Sequence, residues 1–340
     1  MFSDDLRSVD GLVAALHGGS RRALARIITH IENGSAFAQP LLMALYPEGG
    51  RGHVVGVTGA PGTGKSTLVN AMALAYRQRG FMVGIVAVDP TSPFSGGALL
   101  GDRVRMRDLA GDPGIFIRSM ATRGSLGGLA QATTDAVLVL DAAGFDRILI
   151  ETVGVGQSEV EIASTAHTTV VVEAPGLGDE VQAIKAGILE IADVFAVNKA
   201  DREGADRTVS ALRMMLSLGV PDKHQVMHHG RMLPITLPPH DPDPSAWMPP
   251  IHKTVATQNQ GVVELVDAVE SHRLYLEQSG TRQVRDRLRA ATELRMILRD
   301  VLLHRVLDHT PTAALDALVT AVANRQLDPY SAVRQLLGAV

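Results

Sequence analysis

Nine consecutive residues, Gly59-Ala60-Pro61-Gly62-Thr63-Gly64-Lys65-Ser66-Thr67, have the types and spacing to hold a polyphosphate. Glycines let backbone N–H groups turn inward around phosphate oxygens, and a helix starting there aims its positive dipole end at the same point. Lys65 places an ammonium charge on the β- and γ-phosphates, and the Ser66 hydroxyl is suited to the magnesium ion that such phosphates carry. The flanks fit: His53 to Thr58 reads as a buried strand and Leu68 to Arg79 as an Ala-rich helix. Strand, glycine loop and helix in that order make a phosphate-binding loop rather than a glycine-rich turn. The ligand expected is a nucleoside triphosphate.

A second group of residues reads the base. The run Ala192 to Val197 has the composition of a strand and delivers Asn198-Lys199-Ala200-Asp201. A carboxylate at Asp201 accepts from both N1–H and the 2-amino group of guanine, whereas adenine offers neither donor and leaves a buried acid unpaired. Asn198 and Lys199 are expected to brace the ring and the loops. A last strand, Ile251 to Thr254, leads to Val255-Ala256-Thr257, placed for backbone N–H groups to meet guanine O6. The nucleotide is therefore GTP or GDP.

Acidic residues at strand ends complete the pattern. Phe81 to Val88 is a continuous apolar run that ends in Asp89-Pro90, and an acid at the carboxyl end of a parallel strand sits where ligands bind in open α/β sheets. Residues 91 to 107 are rich in small residues and arginine, the composition of a rearranging switch loop, with Asp102 as a second acidic contact. The strand Arg147 to Ile150 closes on Glu151-Thr152-Val153-Gly154, with Glu151 at the position of the magnesium-orienting acid and Gly154 placed to sense a γ-phosphate.

The elements that position these residues form an α/β fold: a mainly parallel sheet covered by helices on both faces, as in P-loop NTPases. Residues 1–50 carry helical periodicity interrupted at Gly18-Gly19-Ser20 and Asn33-Gly34-Ser35, and are expected to be a helical extension. Residues 51–267 are expected to be the GTPase domain and 268–340 a helical C-terminal segment with more amphipathic length than a nucleotide domain needs. Residues 219–250 hold His224, His228, His229 and His240 among many prolines, which reads as a surface insertion, with metal binding as the alternative. A net charge of −4 excludes a general basic field for nucleic acid or an anionic membrane, and no apolar run is long enough to span a bilayer. With an acidic N-terminus, the expectation is a cytoplasmic protein. The absence of cysteine excludes disulfides and thiolate metal sites.

The segments GAPGTGKST, VDPTSPFSGGALLGDRVRM, IRSMATRGSLGGL, ETVGVGQSE, GLGDEVQAIKAGILEIAD and NKAD together resemble the MeaB/ArgK-type GTPases, over roughly residues 50 to 265. The resemblance implies a chaperone of an adenosylcobalamin-dependent acyl-CoA mutase such as methylmalonyl-CoA mutase, which gates cofactor loading or protection. It also implies magnesium contacts from Ser66, Asp89, Asp102 and Glu151, a third switch over about Gly178 to Lys185, and a homodimer formed through C-terminal helices. The sequence departs from the family pattern at Pro93-Phe94, at Val255-Ala256-Thr257 and in the His/Pro-rich insertion. Gly154 is followed by Val155, which cannot orient a water, so hydrolysis is expected to draw on Gln157 or Lys185 beside Lys65 and Glu151. Two other classes share parts of this pattern. A nickel-type metal-insertion GTPase would want cysteine or clustered histidine ligands, and an amino-acid transport-associated ATPase would need to accept adenine.

Overall fold

The computed structural model describes residues 6–89, 109, 111–121, 128–152, 162, 165–176, 190–217, 227–228, 231–232 and 247–338. Seven strands form one parallel sheet: β1 (His53–Thr58), β2 (Val83–Asp89), β3 (Ile115–Ala121), β4 (Arg147–Glu151), β5 (Thr168–Glu173), β6 (Val194–Asn198) and β9 (Ile251–Thr254). Their order is β3-β2-β4-β1-β5-β6-β9, and every pairing is parallel. A short antiparallel pair, β7 (Met227–His228) with β8 (Arg231–Met232), lies apart from it. β1, β4 and β6 are buried at every position, which is why they read as unbroken apolar runs rather than alternating ones.

Helices cover both faces. On one, α4 (Lys65–Gln78) packs its Leu68, Val69, Met72 and Tyr76 onto Val55, Val57, Ile85 and Leu149 of the sheet. On the other lie α5 (Gly128–Ala142) and three N-terminal helices: α1 (Val9–His17), α2 (Arg21–Glu32) and α3 (Ala38–Leu45). Ser8 and Ser20 cap α1 and α2 by accepting from Gly11 N–H and Ala23 N–H. The apolar face of α2 (Leu24, Ile27, Ile28 and Ile31) is buried, each such side chain contributing about 1.5–3 kcal/mol. α6 (Ala205–Ser217) adds Val209 and Leu212 against Phe195 and Val197.

α7 (Val262–Gln278) crosses the boundary expected between residues 267 and 268. Its Leu265, Val266, Val269, His272 and Leu276 are buried, and Glu270 takes a bidentate pair of 2.7 Å bonds from Arg147 at the start of β4. The two compact units divide later, between Arg285 and Asp286, within α8 (Thr281–His309). The second unit holds the remainder of α8 with α9 (Thr312–Ala323) and α10 (Pro329–Gly338). α8 and α9 bury no residue, and Leu294, Leu298, Val301 and Leu302 are exposed. Among the described residues no helix is long and apolar enough to cross a membrane.

At the amino-terminal ends of the strands, opposite the phosphate loop, a polar network replaces the apolar core. His53 Nε2 and His272 Nδ1 each lie 2.8 Å from the Thr168 hydroxyl. Asp193 receives both arms of Arg285, at 2.8 and 3.0 Å, together with the N–H of Thr169, and its carbonyl accepts from the Trp247 indole. Burial holds His53 neutral by lowering its pKa well below the usual value, and the nearby His167, Arg147, His272 and Arg282 add to the effect. Its Nδ1 has no hydrogen-bond partner among the described residues, so protonation there would bury an uncompensated charge. A histidine depressed in the folded state binds its proton more readily when unfolded, so this stability is present above about pH 6.5. It is lost as pH falls below that value, at up to about 1.4 kcal/mol per pH unit. Urea midpoints measured from pH 7.5 to 5.5 should therefore fall more steeply for the native protein than for His53→Gln; parallel slopes would remove His53 from the acid response.

Candidate functional site

The phosphate loop begins where β1 ends. Gly59 has φ +141°, and a Cβ there would lie 2.1 Å from the Val172 carbonyl oxygen on β5, so only glycine fits. Gly64, at φ +90°, caps α4 without a side-chain bond, leaving the first N–H groups of the helix directed at the loop. A side chain at Gly64 would meet Asn198 Nδ2 at 2.6 Å. Lys65 is buried, and its Nζ donates to the carbonyls of Gly59 (2.8 Å) and Ala60 (3.0 Å), which holds the ammonium across the loop. The Thr63 hydroxyl donates to Ala60 O at 2.9 Å, while Pro61, Gly62 and Thr67 are exposed.

Glu151 closes β4 between Val57 of β1 and Ala87 of β2. It is buried, and its Oε1 accepts from the Ser66 hydroxyl at 2.5 Å. The sheet register thus sets a carboxylate and a hydroxyl side by side under the first turn of α4. Two adjoining oxygen donors, one anionic, fit a hard divalent cation such as magnesium. Asp89 closes the neighbouring β2, where the backbone alone is described. Asp102, Gly154, Gln157 and Lys185 lie outside the described residues. So does most of the 219–250 insertion, although Trp247 near its end is seated against His272, with ring centroids 4.9 Å apart.

Asn198 joins the phosphate loop to the loops that follow β6 and β9. Its Nδ2 donates to Thr63 O at 2.9 Å, and its Oδ1 accepts from the Thr254 hydroxyl and from Ala256 N–H, both at 3.2 Å. The parallel pairing of β6 with β9 places Asn198 opposite Thr254, so Asn198-Lys199-Ala200-Asp201 and Val255-Ala256-Thr257 emerge side by side. Lys199 takes a left-handed backbone, φ 56°, at a cost of about 1–3 kcal/mol for a non-glycine residue. Its Nζ bonds Gly62 O at 2.6 Å, and the turn is closed by Arg202 N–H on Lys199 O. Asp201 is exposed at the rim. Val255 N–H donates to Gln260 O and Ala256 N–H to Asn198, while Thr257 is exposed.

Two contributions were not foreseen from the residues alone. Thr254 braces Asn198, and Thr152 donates to the Thr58 hydroxyl at 3.0 Å just behind Glu151. Each is a hydroxyl residue at or just past the carboxyl end of a strand: Thr254 is the last residue of β9, and Thr152 follows Glu151 at the end of β4.

Comparison with known proteins agrees with this geometry. The family model for "Methylmalonyl Co-A mutase-associated GTPase MeaB" matches residues 24–311. A Pyrococcus abyssi protein that carries a GTPase name is 46% identical over 329 residues, covering 97% of this chain and 96% of that one. GTPase ArgK of Escherichia coli is 33% identical, covering 95% of this chain and 94% of its own. A crystal structure titled LAO/AO transport system kinase superposes with a TM-score of 0.68 at 26% identity, covering 99% of both chains. The match over most of the chain and the phosphate and base loops joined through Asn198 lead to one conclusion: the protein belongs to the MeaB family of methylmalonyl Co-A mutase-associated GTPases and hydrolyses GTP.

Proposed function

We propose that this GTPase is a chaperone of an adenosylcobalamin-dependent acyl-CoA mutase, methylmalonyl-CoA mutase or a related one, whose GTP cycle gates cofactor loading or protection. The observation that carries the reading is the family match over residues 24–311, whose description names a mutase-associated GTPase. In this reading the α4 N-terminus and Lys65 bind the phosphates, and Asp201 reads guanine N1–H and the 2-amino group. Ser66 and Glu151, with Asp89 and Asp102, hold the magnesium ion. When bound, that ion neutralises charge on the β- and γ-phosphates. Lys65 balances the same charge from the loop side, and Glu151 keeps the Ser66 hydroxyl oriented. Asn198 and Thr254 hold the base loop at a fixed distance from the phosphate loop.

Asp201→Asn should exchange GTP for xanthosine triphosphate, because the amide donates to a 2-oxo group where the carboxylate accepted from an amine. Calorimetry showing undiminished GTP affinity in that variant would remove Asp201 from base recognition.

Turnover in isolation is expected to be slow, because Val155 cannot orient a water as the glutamine of Ras-like GTPases does. A client mutase would accelerate it about ten-fold or more by bringing Lys185 or Gln157 to the β–γ bridge. In stopped-flow phosphate release, Lys185→Ala should lose the acceleration and keep the basal rate; full stimulation of that variant places the catalytic cation elsewhere.

The C-terminal segment is read as the homodimer interface. Its support is the row Leu294, Leu298 and Val301, apolar and exposed along one face of α8. Leu298→Asp combined with Val301→Asp should give a monomer by light scattering, with thermal stability of the GTPase domain retained. A dimer of undiminished strength would place the contact on another surface.

A further inference from the structure

We infer that Thr152 is a positioning residue for GTP hydrolysis: its hydroxyl bond to Thr58 ties the end of β4 to the residue before the phosphate loop, and so fixes where Glu151 stands against Ser66. Thr58 and Thr152 are buried, at 0% and 4% exposure, and their hydroxyls lie 3.0 Å apart with Thr152 donating. The ladder between β1 and β4 ends at Val57 opposite Glu151. Beyond that rung, Thr152 N–H reaches back to Val57 O at 3.2 Å, and the hydroxyl pair adds one side-chain link where the two chains begin to part.

Strand alternation explains what the link does. Val55, Val57 and Leu149 face α4, and Glu151 follows Leu149 on that face, toward Ser66. Val54, Ile148 and Ile150 face the other way and are packed with Ile162 and Ala166. The hydroxyl pair belongs to this second, apolar face, where two valines of the same shape would pack as well. A buried hydroxyl pair contributes little net stability compared with such an apolar pair. It does provide direction and a fixed separation, which a methyl contact lacks. One residue from Glu151 and one from Gly59, the pair controls the spacing between catalytic acid and loop, and small displacements in such a site have large effects on rate.

The inference rests on the reading of Ser66 and Glu151 as part of the reacting site, and the experiment separates the two. Single-turnover GTP hydrolysis and calorimetric GDP affinity would be measured for Thr152→Val, Thr152→Ser, Thr58→Val, the double valine variant and Ser66→Ala. Thr152→Val should lose about ten-fold or more in hydrolysis while GDP affinity stays within about two-fold. Thr152→Ser should recover most of the rate, and the double valine variant should be no slower than the slower single one, since both remove the same bond. A native rate in Thr152→Val, equal losses of rate and GDP affinity, or a serine variant no better than valine would overturn the proposal. If Thr152→Val does not fold, Thr58→Val against Thr58→Ser asks the same question from the other end of the bond. Ser66→Ala with unchanged hydrolysis overturns the site reading and the proposal together. Loss in Ser66→Ala beside a native rate in Thr152→Val overturns the positioning role alone.

Discussion

The nucleotide site depends on a single buried amide. Asn198 satisfies donor and acceptor at once, with Thr63 O on the phosphate loop and the Thr254 hydroxyl and Ala256 N–H at and just past the end of β9. A buried amide with partners on both sides is rigid, because leaving either side unmet costs about 1–3 kcal/mol. Two loops that share no sequence are thereby held at one separation, which is what a ligand with phosphates at one end and a purine at the other requires. Gly64 is part of the same constraint, since any side chain there would occupy the space of Asn198 Nδ2. The left-handed Lys199 beside it is tolerated because Asn198 and the Lys199–Gly62 contact fix the turn on both sides.

The two ends of the sheet solve different problems. At the carboxyl ends the chain gathers polar groups: the α4 N-terminus, Ser66 with Glu151, and the exposed Asp201. At the amino ends, polar groups are matched to one another, with His53, Thr168, His272, Asp193 and Arg285 in one network. β6 links both, with Asp193 just before its first residue and Asn198 as its last. The strand that ends in Asn198 is thus anchored at its other end by Arg285, near the start of α8.

How far residues alone reveal this architecture depends on the range of the interaction. The strand–glycine–helix pattern around Lys65 is local, and so are the apolar runs that become β1, β2, β4 and β6; each was readable because the information lies within a few residues. The domain boundary expected between residues 267 and 268 falls inside α7, and what seats the later half of that helix is long-range packing that no spacing rule encodes: its Glu270 finds Arg147 and its His272 finds Thr168, both far away in sequence. Val255-Ala256-Thr257 was read as a backbone donor set, yet whether each N–H is already bonded depends on Asn198 and Gln260, which no spacing rule encodes.

The sequence by itself determined the chemistry. The expectations of phosphate binding, guanine choice and oxygen ligands for a hard cation were each drawn from residue types at short, fixed spacings, since one loop or one strand end suffices to present them. The tertiary structure alone decided which of those residues meet. Parallel pairing of β4 with β1 brings Glu151 to Ser66, and pairing of β6 with β9 brings Asn198 to Thr254. It also decided that buried hydroxyls at Thr58 and Thr152 stand together behind the acid. Such contacts join residues far apart in the chain, and their geometry exists only once the hydrophobic faces of the sheet have been covered and every strand has its register.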